Sequence, residues 1–154
     1  MKIVETKCNL LNVPRGYYLA HCISGDYALA GNLESKMNIY YNMRYKLFRH
    51  YPIPDKDKYA EVGESLLVDD VFNLVIKSKF NDKATYEALE KALNDMKFWC
   101  NSLYIDNVAI PKLGCGGNGL EWDSVKNIIE KVFGNTDIKF LVCINEKYTN
   151  NTED

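Results

Sequence analysis

Apolar residues along this chain follow two spacings in turn, and the alternation predicts the architecture. Lys2–Cys8 sets Ile3 and Val4 among polar neighbours and reads as an opening strand. Gly16–Cys22 (GYYLAHC) reads as a second strand after the turn at Pro14 and Arg15. Leu33, Met37, Tyr40, Tyr41 and Leu47 recur at mixed spacings of three and four with one gap, which predicts a helix over 33–47. Tyr51–Asp57 carries two prolines and is expected to be a surface loop. Ser65–Val68 and Val71–Ile76 are short apolar runs divided by Asp69 and Asp70, the pattern of a hairpin. Thr85–Cys100 is the clearest helix, with Leu89, Leu93, Met96 and Trp99 on one face and Thr85 at its N-cap. Asn107–Ile110 reads as a strand, Trp122–Phe133 as a helix and Lys139–Ile144 as a last buried strand. Strands alternating with helices give an α/β fold with helices on both faces of the sheet. The hairpin requires one antiparallel pair, so the sheet should be mixed.

Length and composition narrow the class. A chain of 154 residues is expected to form one domain, here over 1–145, followed by a polar tail over 146–154. A net charge of −2 argues against indiscriminate binding of nucleic acid. Lys36, Arg44, Lys46, Arg49, Lys56 and Lys58 do fall in one region, but Asp55, Asp57 and Glu61 dilute them, and the strip reads as a solvated face. No apolar run approaches the roughly 18–20 residues of a membrane span, and MKIVETKC lacks the apolar core of a signal peptide. The five cysteines show no CxxC spacing, which suggests a reduced, cytoplasmic setting. With two histidines and no Cys/His cluster, neither a metal nor an organic cofactor is expected, and the chain is expected to be a monomer.

The chemistry concentrates after Ile110. Gly114, Gly116, Gly117 and Gly119 fall within six positions between a strand and a helix. In that arrangement backbone N–H groups and a helix N-terminus can cradle an anion. A tight turn with no ligand would need one or two glycines, and four exceed it. The loop is neither a Walker loop nor a GxGxxG fingerprint. Lys77 ends a buried apolar strand, where a charge is expensive unless something uses it. The other reading is a lysine reaching out to solvent from a strand end. His21 reads as a satisfied core histidine, and Cys115 has no visible base that would make it a nucleophile.

Pro111–Trp122 (PKLGCGGNGLEW) resembles the second ligand loop of macrodomains, which bind ADP-ribose and in some cases remove it from targets. The terminal ADP-ribose glycohydrolase type is similar along most of the chain. Its landmarks match 19–24 (LAHCIS), 73–77 (NLVIK), 83–89 (KATYEAL) and 136–139 (TDIK), in that order. The resemblance implies a three-layer α/β/α macrodomain with a mixed sheet of about six strands and a ligand cleft at the strand ends, in keeping with open α/β sheets generally.

It also implies roles for particular residues. Lys77 matches a catalytic lysine that attacks the distal ribose, and as nucleophile it must first lose its proton. Asn118 stands where those enzymes carry an acid, and an amide is no base at neutral pH. Macrodomains that strip ADP-ribose from DNA bases also lack this acid and rely on a lysine. Substrate contacts are implied for Asn9, Leu10, Ser24, Lys112, Leu113, Gly114, Cys115, Gly116, Gly117, Asn118 and Asn145. Cys8 and Asn9 replace the usual Gly-Asp that holds adenine, so an amide carbonyl replaces a carboxylate. The loop after Ser24 has fewer glycines than the family's, and its Asp26 is a further acid near the site. Glu121 is expected to support the N-terminus of the following helix. The implied activity is lysine-dependent hydrolysis of an ADP-ribosyl linkage on protein or DNA. The alternatives are a non-catalytic ADP-ribose-binding module and a phosphatase acting on ADP-ribose 1″-phosphate.

Overall fold

The computed structural model describes residues 1–53 and 58–144. The tail from Glu146 and the Pro54–Asp57 part of the proline loop, including Lys56 of the basic strip, lie outside the described residues. The elements are β1 (Lys2–Lys7), a 3-10 turn (Leu10–Asn12), β2 (Tyr18–Ser24), α1 (Asn32–Tyr41), α2 (Met43–His50), β3 (Ser65–Val68), β4 (Val71–Lys77), α3 (Tyr86–Leu103), β5 (Asn107–Ile110), α4 (Trp122–Phe133) and β6 (Lys139–Ile144). Six strands form one sheet in the order β1-β6-β5-β2-β4-β3. Among the described residues only the β3–β4 hairpin is antiparallel; the other four pairings are parallel.

Two core layers flank the sheet. On one face Leu89, Leu93 and Met96 of α3 and Val125, Ile129 and Phe133 of α4 share one core with Phe72, Leu74 and Ile76 of β4 and Phe140 and Val142 of β6. On the other, Met37 of α1 and Met43 and Leu47 of α2 cover Leu19, Ile23, Val71 and Val75. The alternation of β4 thus sends 72, 74 and 76 to one layer and 71, 73 and 75 to the other.

Two expectations need correction. β2 lies two residues later than the expected Gly16–Cys22, because Gly16 adopts φ 98°, which no strand uses. Ser24 is therefore the last residue of the strand rather than one that follows it. The single helix over 33–47 is two helices, broken at Asn42 with φ 54°. Asparagine tolerates this left-handed geometry, and its N–H closes α1 on the Asn38 carbonyl. The break re-aims the chain so that Met37, Met43 and Leu47 all become fully buried. The gap in the apolar spacing after Tyr41 is its trace in the sequence. Elsewhere Thr85 caps α3 as expected, its hydroxyl accepting from the Ala88 N–H.

His21 is fully buried, with Nε2 2.6 Å from Oδ1 of Asn73, its register partner on β4. Burial lowers its pKa to about 4, against a smaller opposing effect of the Asn73 hydrogen bond. Below pH 6.5 the unfolded chain takes a proton that the folded one refuses down to about pH 4. Stability should therefore fall as pH drops through this window, by on the order of 3 kcal/mol at its lower end. Urea unfolding at pH 7, 5.5 and 4.5 should show the slope, and His21→Gln should flatten it.

Candidate active site

Parallel pairing fixes where the candidate residues lie. β1, β6, β5, β2 and β4 run the same way, so their C-terminal ends share one edge of the sheet. Asn9 follows β1, the glycine loop follows β5, Ser24 ends β2 and Lys77 ends β4. From β1 to β4 is four inter-strand steps, roughly 19 Å. The helix after β2 covers one face of the sheet and the helix after β5 covers the other. The chain therefore switches direction between these neighbouring strands, the position where open α/β sheets form a crevice.

The glycine loop folds back on itself. Cys115, Gly119 and Leu120 donate their N–H groups to the carbonyls of Lys112, Gly116 and Gly114. Gly114 and Gly119 adopt φ 71° and 76°, which favours glycine, and a Cβ on Gly114 would stand 2.7 Å from the Leu120 side chain. The N–H groups of Gly116, Gly117 and Asn118 donate to no backbone carbonyl among the described residues. Three consecutive free donors ahead of α4 are what an anion cradle requires.

Lys77 is buried, with 8% exposure, and its Nζ donates to Asn118 Oδ1 at 2.6 Å. The Phe80 ring centroid lies 5.0 Å from the same nitrogen, within cation–π range. A register shift beside Ile23 sets Lys77 opposite Ser24, so the ends of β2 and β4 are locally irregular where the two residues meet. These side chains border a cavity of about 360 Å³ lined by Gly31, Asn32, Glu34, Lys77, Phe80, Gly117 and Asn118, among others. Its volume suits a small-molecule site. Lys77 and Asn118 come from distant parts of the chain and meet only here.

The remaining predicted residues divide by burial. Leu10 and Leu113 are buried, so a ligand would meet their main chain. Asn9 is exposed, but its Oδ1 already accepts from the Leu11 N–H at 3.0 Å. Asn145 lies outside the described residues. Lys112 and Cys115 are half-buried beside the loop. Burial pushes the Cys115 thiol up to about 11, partly offset by Lys112, so it stays protonated at neutral pH and is a poor nucleophile. Glu121 stands at the N-cap of α4, at the helix end where its charge is expected, and its side chain makes no capping hydrogen bond. Its N–H instead donates to the Tyr86 hydroxyl.

Ser24 and Asp26 serve the loop itself. Ser24 is fully buried and donates its hydroxyl to Asp26 Oδ1 at 2.6 Å. The same oxygen accepts from the Ala28 N–H, and Oδ2 accepts from the Phe80 N–H. Asp26 thus ties the β2–α1 loop to the residue that flanks Lys77, and it holds a segment in which Tyr27 and Leu29 both take positive φ. Asp26→Ala would leave the buried Ser24 hydroxyl and the half-buried Ala28 and Phe80 N–H groups without this acceptor. A loss of about 1–3 kcal/mol in chemical denaturation is expected.

Sequence reasoning misses Glu34, Asn32 and Phe80. Glu34 is 1% exposed and lies three residues before the buried Met37, on the covered face of α1. A carboxylate on that stripe is the available signal. A second cavity, about 760 Å³, is lined by Tyr27, Tyr51, Ile53, Tyr59, Glu64 and Leu66 among others. It is larger, but it gathers none of the strand-end residues, so chemistry rather than size selects the smaller one.

Fold and cleft together define a three-layer α/β/α domain with a ligand-sized cavity at its parallel strand ends. No model of a known family matches the chain. Among individual proteins, human ADP-ribose glycohydrolase OARD1 is 31% identical over 144 residues, covering 92% of this chain and 90% of its own length. The macrodomain of Thermus aquaticus DarG superposes with a TM-score of 0.76 at 19% identity, covering 92% of this chain and 97% of that one. Thermosipho africanus DarTG in complex with ADP-ribose gives 0.74 at 16% identity, covering 95% of this chain and 42% of that one. The chain belongs to the macrodomain family, alongside the OARD1 ADP-ribose glycohydrolases.

Proposed function

We propose that this protein binds ADP-ribose in the strand-end cleft and hydrolyses an ADP-ribosyl linkage there. The observation that carries the reading is the Lys77–Asn118 contact of 2.6 Å inside the cavity, which joins a buried amine to the glycine loop. The free N–H groups of Gly116, Gly117 and Asn118 bind the diphosphate, with the main chain of Lys112–Cys115 behind them. Asn9 and Leu10 border the adenine end, and Ser24 shapes the loop beside the distal ribose. Lys77, once deprotonated, attacks C1″ as the bond to the target breaks, and the electron pair leaves with the target. Water then releases ADP-ribose from the lysine. No metal or organic cofactor takes part. The protein works as a cytoplasmic monomer, a setting that five cysteines without CxxC spacing suit.

A non-catalytic binding module is the second reading, favoured by the amide of Asn118 in place of an acid. The two separate in one assay. Glutamate-ADP-ribosylated protein, ADP-ribosylated DNA and ADP-ribose 1″-phosphate are each incubated with the protein, and products are followed by mass spectrometry. Release of ADP-ribose from protein or DNA is expected. Binding of ADP-ribose with no release from either would leave the binding module. Conversion of the phosphate alone would indicate a phosphatase.

A further inference from the structure

With Asn118 unable to act as a base, the proton released when water attacks needs another acceptor. We propose that Glu34 supplies it, a role that rests on the hydrolase reading above. Glu34 is the third residue of α1, is 1% exposed, and lines the same cavity as Lys77 and Asn118. The cavity's other carboxylate, Asp82, is exposed and accepts the Lys79 N–H through Oδ2. A carboxylate is costly to bury unless it is paired, hydrogen-bonded or used by the site, and its place on the cavity wall is what favours use. The competing explanation is structural, since the N-terminal end of a helix favours a negative charge.

In the proposed step a water oxygen forms its bond to C1″ while the bond from C1″ to the Lys77 nitrogen breaks. The electron pair returns to nitrogen, the water proton passes to the Glu34 carboxylate, and solvent later removes it. The acid of the site thus stands on α1 rather than on the glycine loop.

The test compares wild type, Glu34→Gln, Asn118→Asp and the double variant on an ADP-ribosylated substrate that the wild type turns over. Glu34→Gln keeps shape and hydrogen-bonding capacity, so ADP-ribose affinity by calorimetry should change less than about threefold. Its kcat should fall about 10²–10⁴-fold, the worth of a general base. Adding Asn118→Asp should recover at least about tenfold of that, which a merely structural role for Glu34 would not allow. Wild-type turnover in Glu34→Gln, or no recovery in the double variant, overturns the proposal. Should Glu34→Gln fail to fold, Glu34→Asp decides, since it keeps the carboxylate but draws it back by one methylene: a kcat loss of at least about tenfold at unchanged affinity supports Glu34 as the working base, and a smaller loss overturns it. A wild type inactive on every substrate would instead fail the hydrolase reading itself.

Discussion

Replacing Lys77 with alanine should abolish release of ADP-ribose while leaving its binding largely intact. The size of the loss distinguishes two roles. Removing a group that only stabilises charge costs about 10²–10³-fold. Removing a nucleophile costs far more, on the order of 10⁴–10⁶-fold. Lys77 is 8% exposed and held by Asn118 on one side and the Phe80 ring on another, so the amine is placed before substrate arrives. Placement of this kind is what near-attack geometry requires. Lys77→Arg sharpens the reading, because arginine keeps the charge but does not deprotonate to attack carbon. Lys77→Arg should be as inactive as Lys77→Ala. Affinity should shift less than about tenfold in both, since the phosphate contacts come from backbone N–H groups. Single-turnover kinetics and calorimetry read the two quantities separately. An active arginine variant would reduce Lys77 to a charge contact.

Gly117→Glu should remove binding without unfolding the protein. Gly117 lines the cavity and lacks a positive φ, and a Cβ there meets no atom within 4 Å. Its added side chain would therefore enter the cleft at little cost to the fold. A carboxylate beside the free N–H groups would compete with the diphosphate and repel it, which is worth several kcal/mol. ADP-ribose affinity should fall at least about 100-fold, or about 2.7 kcal/mol. Gly117→Ala is the control and should bind nearly as wild type. Undiminished binding by Gly117→Glu would move the anion site off this loop.

Elements with strong periodicity are legible in the sequence alone. The bounds of β5, α4 and β6 match the apolar runs along the chain, because each is buried on the faces its pattern specifies. Lys77 stands out because a charge closes a run of buried residues. Contact at a distance leaves no such mark. The Lys77–Asn118 hydrogen bond joins residues 41 apart, and Asp26 reaches Phe80 across 54. Asp26 reads as a spare acid because its charge is visible in sequence and its three hydrogen-bond donors are not. Glu34 escapes notice for the opposite reason. A glutamate in the first turn of a helix is ordinary, and only folding shows that α1 brings it against the cavity.

A crystal structure of the Lys77→Ala protein bound to ADP-ribose would show whether the strand-end cleft holds the ligand with its distal ribose at β4. The diphosphate should lie on the N–H groups of Gly116, Gly117 and Asn118, with adenine toward Asn9. The distal ribose should lie with C1″ where the Lys77 amine, restored, would approach within about 3–3.5 Å. ADP-ribose found in the tyrosine-lined cavity of Tyr27, Tyr51 and Tyr59 instead, or with its distal ribose turned away from β4, would contradict this placement.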